Sequence, residues 1–171
     1  MITIQVNSSA VFSALDQLKQ SVSNLEPAMR DIADELRYQT LANFEQQGNP
    51  PWQRLSRATL EGRVLTNAKK KGGTLKDGRV SRGAMVSAKI LQDTGALKNS
   101  IQPSHTANSA TVSSDRKYAA IHQFGGKAGR GNKVDIPARP FFPIAGNSLT
   151  PIAQKAVLDI VESHIGGAIK A

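Results

Sequence analysis

The chain has 171 residues, with 22 Lys+Arg against 13 Asp+Glu and a formal net charge of +9 at pH 7. A hydrophobic fraction of 39% with 20% charged residues argues against wholesale disorder, and the length suits a single domain, residues 1–171, with a real core. The lack of cysteine excludes disulfide frameworks, thiolate nucleophiles and thiolate metal sites, and no apolar run reaches the roughly 20 residues a membrane-spanning helix needs.

The opening residues have neither a basic start nor a continuous apolar stretch, so the expectation is a soluble protein made in the cytoplasm rather than a secreted one. The alternation Ile2-Thr3-Ile4-Gln5-Val6 predicts a half-buried strand. Val11, Phe12, Leu15, Leu18, Val22 and Leu25 then share one face at helical spacing. Pro27 fits the first turn of a second helix with the apolar face Met29, Ile32, Leu36 and Phe44, and Gly48-Asn49-Pro50-Pro51 ends it. Trp52 and Leu55 are expected to pin the chain to the core before a short helix over Ser56–Leu65.

Charge is unevenly distributed. Residues 54–89 carry ten bases and two acids, a net of +8, whereas residues 1–53 are net negative at −3. Residues 66–89 are rich in Gly, Ser, Thr and Lys and poor in large apolar groups, which predicts a flexible loop or extended hairpin. The cations expected to face a partner, with Arg63 just before the segment, are Lys69, Lys70, Lys71, Lys76, Arg79 and Arg82. Such a segment suits a phosphate backbone, an acidic protein surface, or simple solvation. No aromatic residue lies between Arg54 and Lys117, so base stacking is unavailable there and contact with DNA would be non-specific.

Beyond it, Asp93 or Thr94 is placed to cap a turn over Ala96–Ser100. Two strands are predicted near Ser100–His105 and Ala110–Ser114, joined by Ala107-Asn108-Ser109. Helical turns over Lys117–Phe124 stop at Gly125-Gly126, where a positive φ is expected at Gly126. The run Asp135–Pro143 is too proline-rich for a central strand. A last helix is capped by Thr150, starts at Pro151, carries the stripe Ile152, Ala156, Val157, Ile160, Val161 and Ile165, and closes at Gly166-Gly167. The composite is α+β: helices packed on a small, mainly antiparallel sheet, with a long basic loop insertion.

Catalytic and metal signatures are missing from this pattern. His105, His122 and His164 stand in no metal-ligand spacing, and Gly125–Gly131 lacks the order of a phosphate-binding loop. No nucleophile elbow brackets a serine, and Asp34-Glu35 point to different helix faces. The expectation is a non-enzyme with no cofactor and no metal.

Three clusters then stand out in order. They are Leu91-Gln92-Asp93-Thr94-Gly95-Ala96-Leu97-Lys98-Asn99-Ser100-Ile101, Tyr118-Ala119-Ala120-Ile121-His122-Gln123-Phe124-Gly125-Gly126, and Ile136-Pro137-Ala138-Arg139-Pro140-Phe141, preceded by Trp52-x-x-Leu55-Ser56. Together they resemble the virion morphogenesis family of tailed phages, that of Mu G-like tail completion proteins, across roughly residues 30–165. The resemblance implies a non-catalytic structural protein that completes the tail and joins it to the head within the neck. It further implies a homo-oligomeric ring, contacts with other neck and tail proteins, and residence in the host cytoplasm during assembly and then in the virion. Two features depart from the family pattern: Thr66–Val86 looks like an insertion, and Lys98 stands where an arginine is expected. Within the motifs, His122 reads as a structural histidine, Phe141 as an inward plug, and Arg139 as half of a fixed ion pair or a residue crossing a subunit boundary. The alternative function is a non-specific nucleic-acid-binding module using the basic loop, with packaged DNA as a further possible contact.

Overall fold

The computed structural model describes residues 23–70 and 88–170, together with Asp16 and Lys19. The strand expected at Ile2–Val6 and the apolar face of the following helix up to Val22 lie outside the described residues. Asp16, Lys19 and Ser23 are helical and exposed, as the polar side of that helix should be.

The described elements are α1 (Glu26–Gln46), α2 (Arg57–Lys70), β1 (Ile101–Thr106), β2 (Ser109–Ser114), α3 (Ala119–Phe124), β3 (Gly126–Ala128), β4 (Val134–Ile136), β5 (Ile144–Ala145), β6 (Ser148–Leu149) and α4 (Pro151–Lys170). The class is α+β. Among the described residues the strands form three two-stranded ribbons, β1–β2, β3–β4 and β5–β6. The ribbon of β3 and β4 is antiparallel, pairing Gly126 with Ile136 and Ala128 with Val134. It recruits the start of the proline-rich run, because Pro137 falls just past the last paired residue and removes no ladder donor.

Packing divides the chain into two compact units built from interleaved segments. One takes in the described residues up to Tyr38, Pro103–Val112 and those from Ile144 onward; the other comprises Gln39–Gln102 and Ser113–Pro143.

In the first unit, Ile32 and Leu36 of α1 pack with Ala153 of α4, and Met29, Ala110, Val112, Leu149, Val157, Ile160 and Val161 surround them. Pro27 sits in the first turn of α1, where its missing N–H costs no helical bond. Thr150 Oγ1 accepts from Ala153 N (3.4 Å) at the start of α4. The stripe of α4 is one residue out of the expected register at this end. Ala153 is fully buried, while Ile152 is 64% exposed. The smaller Ala153 is the residue that meets Ile32 and Leu36. Gly166 and Gly167 do not close the helix, which runs on to Lys170. Gly166 keeps a helical backbone with no positive φ, and without that left-handed turn a glycine does not terminate a helix.

In the second unit, α1 ends where Gln47 (φ +60) and Gly48 (φ +95) turn left-handed, followed by a cis Asn49–Pro50 bond. Ser56 Oγ accepts from Thr59 N (3.2 Å), capping α2. That helix continues past Leu65, so Thr66–Lys70, read from composition as the start of the loop, are helical instead. Thr66, Asn67, Ala68, Lys69 and Lys70 include no Gly or Pro that would break it. Residues 71–87, the remainder of that segment, lie outside the described residues.

Candidate functional site

All three sequence clusters and Trp52 meet in the second unit, through bonds to main-chain atoms. At its centre Phe44 packs edge-on against Trp52 (ring centroids 5.8 Å apart, 82° between planes) and at 5.3 Å from Phe141, which in turn lies 4.6 Å from Phe142. Phe44 and Phe141 are fully buried. Around this aromatic core, polar side chains fix the proline-rich segment. Trp52 Nε1 donates to the Pro140 carbonyl (2.8 Å) and Asn43 Nδ2 to the Phe141 carbonyl (3.0 Å). Gln123, only 3% exposed, accepts from the backbone N–H groups of both Phe141 (2.9 Å) and Phe142 (3.0 Å). Arg139 N donates to the His122 carbonyl (2.7 Å), tying the third cluster to the second.

Gly125 makes this join possible. Its φ is +74, and a Cβ there would lie 2.9 Å from Ala138 N and 3.1 Å from the Ile136 carbonyl. Gly126 has φ +145, as expected of a residue without a side chain. In α3 the buried side is Ala119 and Gln123, while Phe124 is 68% exposed and Tyr118 also faces outward.

The first cluster is held in the same manner. Thr94 Oγ1 accepts from Ala96 N (3.3 Å), Gly95 turns with φ +73, and Asn99 N returns to the Gly95 carbonyl (2.9 Å). Leu97 and Ile101 are buried beneath. Gln92 Nε2 donates to the Phe44 carbonyl and Ile90 N to Gln47 Oε1, both at 2.6 Å, covering the end of α1. Glu45 pairs with Lys89 (2.7 Å) and with Lys98. These two ammonium groups hold its carboxyl at about 2, well below its ordinary 4.5.

Of the two roles expected of Arg139, the ion pair is not found among the described residues. Arg139 is only 6% exposed, yet its partner is no carboxylate: Nε donates to the Gln53 carbonyl (3.1 Å). A backbone carbonyl from the Trp52 region does the work assigned to an acid. Burial, and then the charge of Arg63, lower the Arg139 pKa.

Beside this join lies a cleft of about 210 Å³ lined by Arg63, Leu91, Asp93, Thr94, Ala96, Leu97, Tyr118 and His122. Arg63 reaches it from α2, with Nη1 on the Lys89 carbonyl (3.2 Å). The Tyr118 and His122 rings meet edge-on at 5.9 Å. His122 Nδ1 is buried without a hydrogen-bond partner among the described residues, so the fully satisfied histidine expected from sequence is not what is found. Burial, then the charges of Arg139 and Arg63, lower its pKa and keep the ring neutral at pH 7.

Of the basic residues, Arg63 lines the cleft, Lys69 and Lys70 lie in the last turn of α2, and Lys71, Lys76, Arg79 and Arg82 lie outside the described residues. Pro137 and Pro140 frame Arg139 on the join itself. Sequence reasoning missed Asn43, Glu45 and Gln47, and named Gln92 in the first cluster without giving it a role. They flank Phe44 at the end of α1 or bond to that end, and only knowledge that this end is buried would single them out. Among the described residues, no group of three or more His, Asp or Glu is placed to hold a metal ion, and no helix is long and apolar enough to cross a membrane.

Comparison with known proteins gives two matches. The family model described as the phage virion morphogenesis family matches residues 6–166. The chain is also 36% identical, over 99% of its own length and all of the relative's, to the Mu-like prophage FluMu G protein 2 of Haemophilus influenzae. No solved structure matches.

Proposed function

The chain belongs to the phage virion morphogenesis family and so has a role in phage assembly; within that role we propose that it is a non-catalytic structural protein that completes the tail and joins it to the head as part of the neck. The observation that carries this reading is the use made of the motif residues. Trp52, Gln123 and Arg139 each spend side-chain atoms on main-chain carbonyls or N–H groups, building a rigid join between distant segments. A catalytic constellation would need such groups aimed at a reacting atom. A docking protein needs them where they are, because rigid segments bind with less ordering cost.

Copies of the chain assemble as a ring at the upper end of the tail, first in the host cytoplasm and then as part of the virion. Its basic residues from Arg63 to Arg82 meet an acidic neck partner or the DNA that passes through. The test is removal of the gene from the phage or prophage that encodes it, followed by electron microscopy of the lysate. Filled heads and separate, unjoined tails are the expected result; normal infectious particles would overturn the proposal.

A further inference from the structure

We propose that the cleft between α2, the Asp93-Thr94-Gly95 turn and α3 is a receptor for a single carboxylate side chain presented by a protein partner, held by Arg63 and His122. Three observations lead there, all within the second unit.

The first is a pair of guanidinium groups that no described carboxylate pairs with. Arg63 and Arg139 stand close enough for each to act on His122, and Arg63 also acts on Arg139. Among the described residues neither guanidinium has a carboxylate within salt-bridge distance; each has one backbone carbonyl instead, Lys89 O for Arg63 and Gln53 O for Arg139. A half-buried guanidinium carries five N–H donors, and one carbonyl leaves most of them for another acceptor.

The second is the orientation of His122. Its Nδ1 is buried with no partner, so a proton placed there would be an orphaned buried donor. The neutral ring therefore keeps its proton on Nε2, and the residue that carries it lines the cleft. The lining thus combines an imidazole with a guanidinium, and the exposed Tyr118 meets the imidazole edge-on at 5.9 Å. Donors of this kind in the lining of one cleft favour an anion.

The third is the size and rim of the cleft. About 210 Å³, with Leu91 and Leu97 in the lining, suits one short side chain with an apolar stem and an anionic head. Asp93 at the same rim opposes a phosphodiester backbone or a dianion, and more weakly a single carboxylate. An Asp or Glu side chain fits all three features. Its arrival would also offset the cationic field on His122, whose charged neighbours are Arg63, Arg139 and Asp93, with Tyr118 as the remaining titratable group, so occupancy should raise the histidine's pKa.

The test uses the intact chain with histidine labelled for NMR and propionate as the probe, the analogue of a Glu side chain. Propionate should shift the His122 ring signals, raise its pKa and saturate at about 10 mM, as a charge-assisted but solvent-open site allows. Propionamide at equal concentration should do nothing. Arg63→Gln should weaken the effect at least about tenfold, and Arg63→Lys, which keeps the charge, should weaken it less; both must melt like the parent. Absence of a shift, an equal shift with propionamide or with chloride at matched ionic strength, or an undiminished effect in Arg63→Gln would overturn the proposal. Phosphate binding as tightly as propionate would overturn the choice of carboxylate and point to nucleic acid. Propionate binding does not depend on where in the particle the chain works, so failure here is distinct from failure of the assembly reading.

Discussion

Replacing Gln123 by leucine should cost the protein a large part of its stability although nothing apolar is lost. Gln123 is 3% exposed and its one side-chain oxygen accepts from two backbone N–H groups, those of Phe141 and Phe142. Leucine fills similar space but accepts nothing, leaving two donors orphaned beside a fully buried phenyl ring. A buried unsatisfied donor costs roughly 1–3 kcal/mol. Phe142 is only half-buried, so its N–H belongs at the lower end, and the pair comes to about 2–5 kcal/mol. Against a total stability of roughly 5–15 kcal/mol that is a large fraction. For a chain of this length it corresponds to a drop of about 5–15 °C in Tm. Urea unfolding followed by the fluorescence of Trp52, the sole tryptophan, reads it directly. The midpoint should fall with the slope m unchanged, and Gln123→Glu, which retains acceptor oxygens, should recover part of the loss. A Gln123→Leu protein within about 0.5 kcal/mol of the parent would refute the reasoning, since the two amides would then have other acceptors.

Further outcomes follow from the same geometry. Phe44→Ala should cost about 3–5 kcal/mol in urea unfolding, because it removes the ring on which Trp52 and Phe141 pack. Gly125→Ala should be clearly worse than Gly146→Ala in the same assay: both have positive φ, but a Cβ at Gly125 collides with the Ala138 backbone whereas one at Gly146 meets nothing. Acid should destabilise the protein in two stages. The His122 pKa is lowered on folding, so the contribution of its neutral form is complete above about 6.5 and declines as pH falls below it; His122→Gln should flatten this stage in a pH series of melts. The Glu45 carboxyl is depressed to about 2, so its pairing with Lys89 and Lys98 contributes fully above about 4.5 and is lost on the way down to 2, a stage that Glu45→Gln should remove. Light scattering on the purified chain at low and high salt should give a defined multimer that survives salt; a salt-sensitive complex formed only with duplex DNA would favour the nucleic-acid reading instead.

Much of this architecture is written in local patterns. Pro27, Thr150 and Pro151 mark helix starts by chemistry that needs no tertiary context, and the turn Ala107-Asn108 between alternating runs is a short-range signal for the β1–β2 hairpin. What failed was decided by packing. Ile152 belongs to the apolar stripe by periodicity, yet Ala153 is buried because a small residue meets α1. Gly166-Gly167 looks like a stop but keeps helical geometry. The motif residues were recognisable as a set, and Phe141 as an inward plug. The role of Arg139 was not legible, because its partner is the carbonyl of Gln53, and a carbonyl carries no side-chain signature. The same holds for Asn43, Gln47 and Gln92, whose partners are main-chain atoms supplied from far along the chain.

The measurement that bears most directly on the assembly role is the position of this chain in purified particles, by gold-labelled antibody in the electron microscope. Label confined to the junction of head and tail, on joined particles and at the upper end of free tails, is the predicted result. Particles that carry no label while the chain stays in the soluble fraction would contradict a structural place in the neck.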